Sequence, residues 1–374
     1  QVFFFFTLGF NKYDGLMLGA AFYNSLAPRK RIEYFVNPMF SLNAADVVGT
    51  ADVQYHVYPK KGLLSHLTFG LDMRRFTEAN LSAFPKDTAP PEFQQIDEDI
   101  QYLRLEPSVT LTLRPKNARS SVEKQLRIRH INLNKETFTQ DTAFYNVESL
   151  LRNDSYSINE LGFSLKDKRR IHPYSFNVKL QQSKKFSIAS AEVKYRLSYK
   201  GKETDGLDIR LFGGYFLNNE SSNALTMSDT GPRDFMYDDL LFGRNERTGL
   251  FSQQVITQHG GFKIPLGSVG FANEYLFAVN LKSTLLSSIP VKAYFNLGYG
   301  KNSSSLIPWS EEVLVEGGLA LVVIPDTFEV YLPLIYSDAF QSRIDVNGLK
   351  LLQRVSFLLD IRALNPVKLV REAF

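Results

Sequence analysis

The chain has 374 residues, no cysteine, 44% hydrophobic and 22% charged residues, and a formal net charge of +4. That composition is too apolar for a disordered polymer and too charged for a bundle of membrane helices. The small net charge gives no reason to expect a nucleic-acid partner, and the absence of Cys excludes a disulfide framework and Cys-ligated zinc.

Aromatic residues make up 13% of the chain, with 30 Phe and 18 Tyr against 1 Trp. No segment reaches the ~18 consecutive apolar residues of a membrane-spanning helix. The chain opens on Gln1-Val2-Phe3-Phe4-Phe5-Phe6 without a basic leader. It therefore reads as the start of a mature chain, or of a fragment whose upstream part is missing.

Taken in order, the hydrophobic pattern predicts strands near 2–10, 15–24, 32–41, 47–58, 63–76, 98–113, 121–133, 152–166, 172–181, 186–199, 205–216, 231–243, 248–259, 270–282, 289–299, 313–324, 327–336 and 350–362. Each alternates with period two. In 102–114, Leu103, Leu105, Val109, Leu111 and Leu113 oppose Tyr102, Arg104, Glu106, Ser108, Thr110, Thr112 and Arg114. In 187–199, Ala189, Ala191, Val193, Tyr195 and Leu197 oppose Ser190, Glu192, Lys194, Arg196 and Ser198. Successive side chains of a strand point to opposite faces, so each strand has one apolar and one polar face.

A soluble antiparallel sandwich alternates in the same way. Three features favour a barrel in lipid. The strands run to about 10 to 13 residues, where soluble strands average about 5 or 6. Their polar faces carry successive charges, as a wet lumen does. Aromatic residues also gather near strand ends, where an interfacial girdle would lie: Tyr13, Phe22, Tyr23, Tyr55, Tyr58, Tyr199, Phe295, Tyr299, Tyr331 and Tyr336.

The expected fold is therefore all-β: one transmembrane antiparallel up-and-down barrel over 1–374, with about 18 strands, 16 being the alternative, and both termini periplasmic. Short basic turns include 28–31, 59–62, 168–170, 200–202 and Arg244-Asn245-Glu246-Arg247; the long loops are 77–97, 134–151, 217–230, 300–312 and 337–349. Predicted lumen-lining residues are Asp52, Gln54, Arg104, Glu106, Arg127, Arg129, Glu192, Lys194, Arg196, Asp208, Arg210, Lys292, Glu316, Arg354, Asp360 and Arg362.

Several stretches resemble large outer-membrane barrels of the Bacteroidota: Asn11 to Gly19, Ile32 to Phe40, Val48-Gly49, Phe235 to Gly243, His259-Gly260-Gly261-Phe262 and Leu364-Asn365-Pro366. In that family the barrel often forms the C-terminal part of a longer protein, whose upstream part resembles a gluzincin metallopeptidase of the aminopeptidase N type. The resemblance implies a periplasmic domain upstream of this chain. The five histidines here (His56, His66, His130, His172 and His259) contain no His-Glu-x-x-His pair, so peptidase chemistry would lie outside these residues.

No other catalytic motif is present: Gly-x-Ser-x-Gly and the phosphate-binding Gly-x-x-x-x-Gly-Lys loop are both absent. His56 and His130 read as hydrogen-bonded lumen groups, and His259 beside Gly260-Gly261 as a turn or bulge. Asp97-Glu98-Asp99 is the one cation candidate, on a predicted loop at 82–99, with a solvated acidic loop as the plainer reading. No cofactor is expected.

The first functional reading is a non-enzymatic barrel in the bacterial outer membrane, anchoring or giving passage to a periplasmic peptidase-like domain or envelope complex. Its expected partners are outer-membrane lipid, lipopolysaccharide and envelope subunits. The second is a free-standing porin-like channel or solute transporter. The third is an outer-membrane lipid-modifying enzyme.

Overall fold

In a computed structural model, all residues are described except 26–28, 83–96, 118, 139–150, 222, 247, 267–268, 303–312 and 365–374. The predicted turn residue Pro28, the central part of the 82–99 loop, and Asn365-Pro366 lie outside the described residues.

One sixteen-stranded antiparallel sheet dominates the chain. Its first eleven strands are β1 (Phe3–Asn11), β2 (Gly15–Tyr23), β3 (Ile32–Ser41), β4 (Val47–Val57), β5 (Leu64–Ser82), β6 (Asp97–Leu113), β7 (Val122–Phe138), β8 (Leu151–Asp167), β9 (Tyr174–Gln182), β10 (Phe186–Ser198) and β11 (Gly206–Asn219). The segment 220–274 then leaves the sheet; its described residues carry a two-residue pair, β12 (Leu225–Thr226) with β13 (Phe271–Ala272), and 3-10 turns at Gly231–Arg233 and Leu250–Gln253. The sheet resumes with β14 (Tyr275–Thr284), β15 (Val291–Lys301), β16 (Val313–Ile324) and β17 (Phe328–Tyr336). Two short helices, α1 (Asp338–Val346) and α2 (Leu351–Arg354), precede β18 (Ser356–Leu359).

Every strand of the sheet pairs with its neighbour in sequence, β11 with β14 across the inserted segment. One end of the molecule has only short connections, such as 24–31, 58–63, 168–173 and 325–327; the chain enters β1 from this end, and 361–364 lie there too. The other end carries the long segments.

The outer face fits lipid. Phe4, Phe6, Leu8, Leu18, Phe69, Leu71, Val193, Leu197, Leu217, Phe277, Phe295 and Leu321 are all exposed and occupy one face of their strands. In water that band would be a large apolar patch; in a bilayer it is the required surface, because from β2 to β17 each strand of the sheet pairs its backbone with a neighbour on either side. No described helix is long and apolar enough to cross a membrane. The chain is a transmembrane β-barrel.

The structure differs from the sequence expectation in four places. The strands expected at 231–243 and 248–259 are not strands, so the sheet has sixteen members, the alternative count, rather than eighteen. Residues 234–244 pack inside the barrel, and Arg244-Asn245-Glu246 is not at the short-turn end: the Lys12 amide donates to the Phe242 carbonyl at 2.7 Å, beside the β1–β2 turn at the other end; Arg247 lies outside the described residues. The strand expected at 350–362 breaks into α2, the four-residue β18 and a 3-10 turn at Ile361–Leu364. The predicted loop residues Asp97, Glu98 and Asp99 belong to β6, where their backbones pair with Ser82, Leu81 and Asn80. Finally, Tyr331 is no girdle residue: it points inward, is buried, and packs edge-on against Tyr294.

At the seam between β1 and β18 the inserted segment takes part in the wall. Gln254 forms a parallel bridge with Phe357, and the Val255 amide donates to the Phe357 carbonyl at 2.9 Å. On the β1 side, Phe242 and Phe251 cluster with Phe10. β18 is too short to face the whole of β1, and this aromatic cluster fills part of the gap.

Candidate functional site

The inside of the barrel is organised by the 220–274 segment, which is held in two different ways. One is apolar. Leu225, Met227, Phe262, Ile264, Leu266 and Val269 pack with inward residues of the wall, among them Ile188, Phe212, Leu276 and Leu314, and with Phe340 and Ile344 of α1. These wall positions belong to the lumen parity that carries charge elsewhere in the same strands. Where the segment docks, the sequence switches that face from polar to apolar.

The other hold is ionic and centres on Asp238. Its Oδ1 accepts from Arg104 Nη2 at 2.7 Å and Arg129 Nη1 at 2.8 Å, and its Oδ2 accepts from Arg129 Nη2 at 2.9 Å. Arg74 donates to the Asp238 carbonyl at 2.7 Å. Arg104 also donates to Asp72 at 2.8 Å and to the Met236 carbonyl at 2.8 Å. Arg129 grips Glu160 with Nε and Nη2 at 2.8 and 2.9 Å, and Glu106 bridges Arg104, Arg127 and Arg129. Burial alone would push the Asp238 carboxyl up, but Arg129, Arg104 and Arg74 overcome it and hold Asp238 well below the usual carboxylate range. Asp72, Glu106, Glu160 and Asp238 thus face Arg74, Arg104, Arg127 and Arg129, a balanced set in which each buried charge has a partner.

The neighbouring residue behaves oppositely. Burial and the nearby Asp234 and Asp238 push Asp239 up to about 6, although Arg362 opposes them. Arg362 Nη2 donates to Asp239 at 2.6 Å, and Gln258 Nε2 donates to it at 2.6 Å. Arg362 lies on the 3-10 turn after β18, so the C-terminal end of the described barrel reaches in to hold the segment.

Two local devices make the docking possible. A register shift between Thr77 and Ala79 in β5 turns both Thr77 and Glu78 inward, as a β-bulge does when two residues oppose one. Thr77 binds Asp14 through its amide at 3.1 Å and its hydroxyl at 2.7 Å, while Glu78 accepts from the Tyr237 hydroxyl. Within the segment, Gly261 has φ +69° and lies so close to Arg210 that a Cβ would stand 2.7 Å from its Nη1. A side chain there would push Arg210 off the His259 carbonyl, which it now meets at 2.8 Å.

Short of this segment, toward the short-turn end, a cavity of about 1370 Å³ remains. The residues expected at the lumen fall as follows. Asp52, Gln54, Glu106, Arg127, Arg129, Glu192, Lys194, Arg210, Asp360 and Arg362 line the cavity. Arg104 is fully buried in the ionic hold. Lys292 reaches Asp208 at 3.0 Å, and Arg196 pairs with the same Asp208. Glu192 pairs with Arg210 at 2.6 Å. Glu316 is buried, accepting from the Lys263 amide at 2.7 Å, the Tyr294 hydroxyl at 3.0 Å and Asn296 at 3.1 Å. Arg354 does not line the cavity: it sits on α2 and donates to the Leu349 carbonyl at 3.1 Å and to the Tyr336 hydroxyl.

Sequence reasoning missed Asp234, Asp238, Asp239 and Arg244. Asp234, Asp238 and Asp239 fall in the strand predicted at 231–243 and Arg244 in a predicted basic turn, and only the acidic run Asp238-Asp239 beside the apolar pair Leu240-Leu241 pointed to another role. His259, read as a turn residue, has its Nδ1 2.8 Å from Asp229 inside the lumen.

No protein-family model and no curated protein matches the chain. Among solved structures it is similar to CdiB from Acinetobacter baumannii, at 11% identity and a TM-score of 0.44, over 90% of this chain and 57% of that one. It is also similar to BamA from Haemophilus ducreyi lacking POTRA domains 1–3, at 12% identity and a TM-score of 0.48, over 90% of this chain and 68% of that one. This chain thus spans little more than half the length of the CdiB chain.

Proposed function

We propose that the chain is a bacterial outer-membrane barrel closed from within by its own 220–274 segment, serving as an anchor or gated passage for a periplasmic domain or envelope partner. The observation that carries this reading is the docking of that segment by both an apolar core and a balanced ionic set. An open diffusion pore needs a continuous water path, whereas sixteen strands without such a segment would leave one. The cavity that remains faces the short-turn end, where Arg29, Asp326 and Ile361 line it. On the proposed orientation that end is periplasmic, so a partner there meets a mixed-charge vestibule. The resemblance to barrels joined to a peptidase-like region supports a periplasmic domain as that partner.

Single-channel recording in a planar bilayer tests the reading. The full chain gives no large steady conductance, and replacing 221–273 by a short linker yields steady ohmic steps. Large ohmic steps from the intact chain would establish an open porin-like channel instead.

A further inference from the structure

Near the short-turn end of the cavity, three side chains converge that the closed-barrel reading does not use. His56 Nδ1 and His66 Nε2 stand 3.1 Å apart, and Thr68 Oγ1 lies 3.1 Å from each. The three atoms form a nearly equilateral triangle, and all three residues line the cavity. Strand register builds it: His56 of β4 lies opposite Thr68 of β5, and His66 precedes Thr68 by two residues on the same face.

We infer that this triangle is a binding site for a borderline divalent transition-metal ion of the Zn2+ class. Imidazole nitrogens suit such ions. Two nitrogens each at about 2.0–2.1 Å from zinc in tetrahedral geometry lie roughly 3.3 Å apart, close to the separation here, so binding needs only small side-chain movement.

Both rings are already oriented. His56 Nε2 is 3.3 Å from Glu33 Oε2, and both residues are buried. With its Nε2–H donated to that carboxylate, His56 presents an unprotonated Nδ1 to the triangle, the carboxylate–histidine arrangement that fixes the tautomer of a metal-bound imidazole. His66 is stacked on Tyr58, with ring centroids 4.5 Å apart and planes 4° from parallel. It keeps a neutral ring on binding by carrying its proton on Nδ1.

The surrounding charge is mixed, with Glu33 against Arg29 in the same part of the cavity. Among the described residues no group of three or more His, Asp or Glu converges on one point. The protein therefore supplies two imidazoles and one hydroxyl and leaves positions for water or a ligand from the vestibule, as open rather than closed sites do.

The site stands whether the barrel is closed or open, so its test is separate from the conductance test. The folded full chain, stripped with a chelator, is titrated with Zn2+ by calorimetry and with Cu2+ by electron paramagnetic resonance. One equivalent of Zn2+ binds, and the Cu2+ spectrum shows coupling to two nitrogens. His56→Gln and His66→Gln each abolish the binding while retaining heat-modifiable gel mobility. Glu33→Gln weakens it by about tenfold, as loss of an orienting partner does. Equal binding by the native chain and the doubly substituted H56Q/H66Q chain, or a Cu2+ spectrum without nitrogen coupling, would show that the rings form only a hydrogen-bonded pair. If E33Q binds as tightly as the native chain, Glu33 has no orienting role.

Discussion

The two holds on the inserted segment differ in what each contributes. The apolar one, around Met227, Phe262 and Phe340, removes hydrocarbon from water and fills space; its strength scales with area and is insensitive to charge. The ionic one, around Asp238, Arg104 and Arg129, must first strip water from every charge, and continuum and mutational arguments give such sets little net stability over apolar replacements. Its geometry is strict, however. A segment shifted by one residue would lose every bond to Asp238, so the ionic hold fixes register while the apolar hold supplies most of the docking energy.

That division can be broken experimentally. The chain lacks Cys, so a single Ala272→Cys change in the buried β13 allows opening of the segment to be read as the rate of thiol labelling. The largest effect is expected from Asp238→Ala, which leaves Arg104 and Arg129 facing each other without their shared carboxylate. It should favour opening by about 3–5 kcal/mol, the usual penalty for stranding buried charge. Phe262→Ala, at a fully buried ring, should cost a similar ~3–5 kcal/mol by leaving a cavity. The two are separated by compensation. Combining Asp238→Leu with Arg104→Met, Arg129→Met, Glu106→Gln and Glu160→Gln should restore most of the docking energy, because the buried carboxylates that the two arginines neutralise are removed with them, while Asp72 keeps Arg74. If that combined variant labels as fast as Asp238→Ala, the ionic set supplies net energy and the division proposed here is wrong.

A smaller effect comes from pH. Asp239 titrates near 6 when docked, above its ordinary value of 3.8. The docked state therefore holds the proton more tightly than the released one, and docking is strongest below about pH 4. It weakens as pH rises from 4 toward 6, then levels off. Labelling of the Ala272→Cys chain should accelerate over that interval, and Asp239→Asn should flatten the change. The opposite slope would mean that Arg362 dominates the Asp239 environment. The smallest effect serves as a control: Lys168 pairs with Glu123 at the exposed short-turn end, and Lys168→Ala should change opening and heat stability by less than about 1 kcal/mol.

Much of the wall was legible because a strand's two-residue period is a local property. Tyr102-Leu103-Arg104-Leu105-Glu106 states which side chains face lipid and which face the lumen, whatever the neighbouring strands do, and the short basic connections mark one end of the barrel. The same period misled at 231–243 and 248–259. Phe235 and Tyr237 fall on one parity there and Asp234 and Asp238 on the other, yet apart from the bridge of Gln254 to Phe357 the described segment joins no barrel strand, because its apolar side chains find partners on the inner wall and its carboxylates find Arg104, Arg129 and Arg362. Alternation records that a stretch has two faces, not what covers them.

The sequence by itself determined an all-β chain with a hydrocarbon outer face, a charged inner face and connections of unequal length, since each follows from side chains a few residues apart. Only the tertiary structure decided that the sheet has sixteen strands, that one long connection folds into the lumen, and that His56 and His66 meet above Glu33. Those outcomes depend on contacts between residues as far apart as Arg74 and Asp238 or Asp239 and Arg362, where the path of the whole chain, rather than any local preference, brings the partners together.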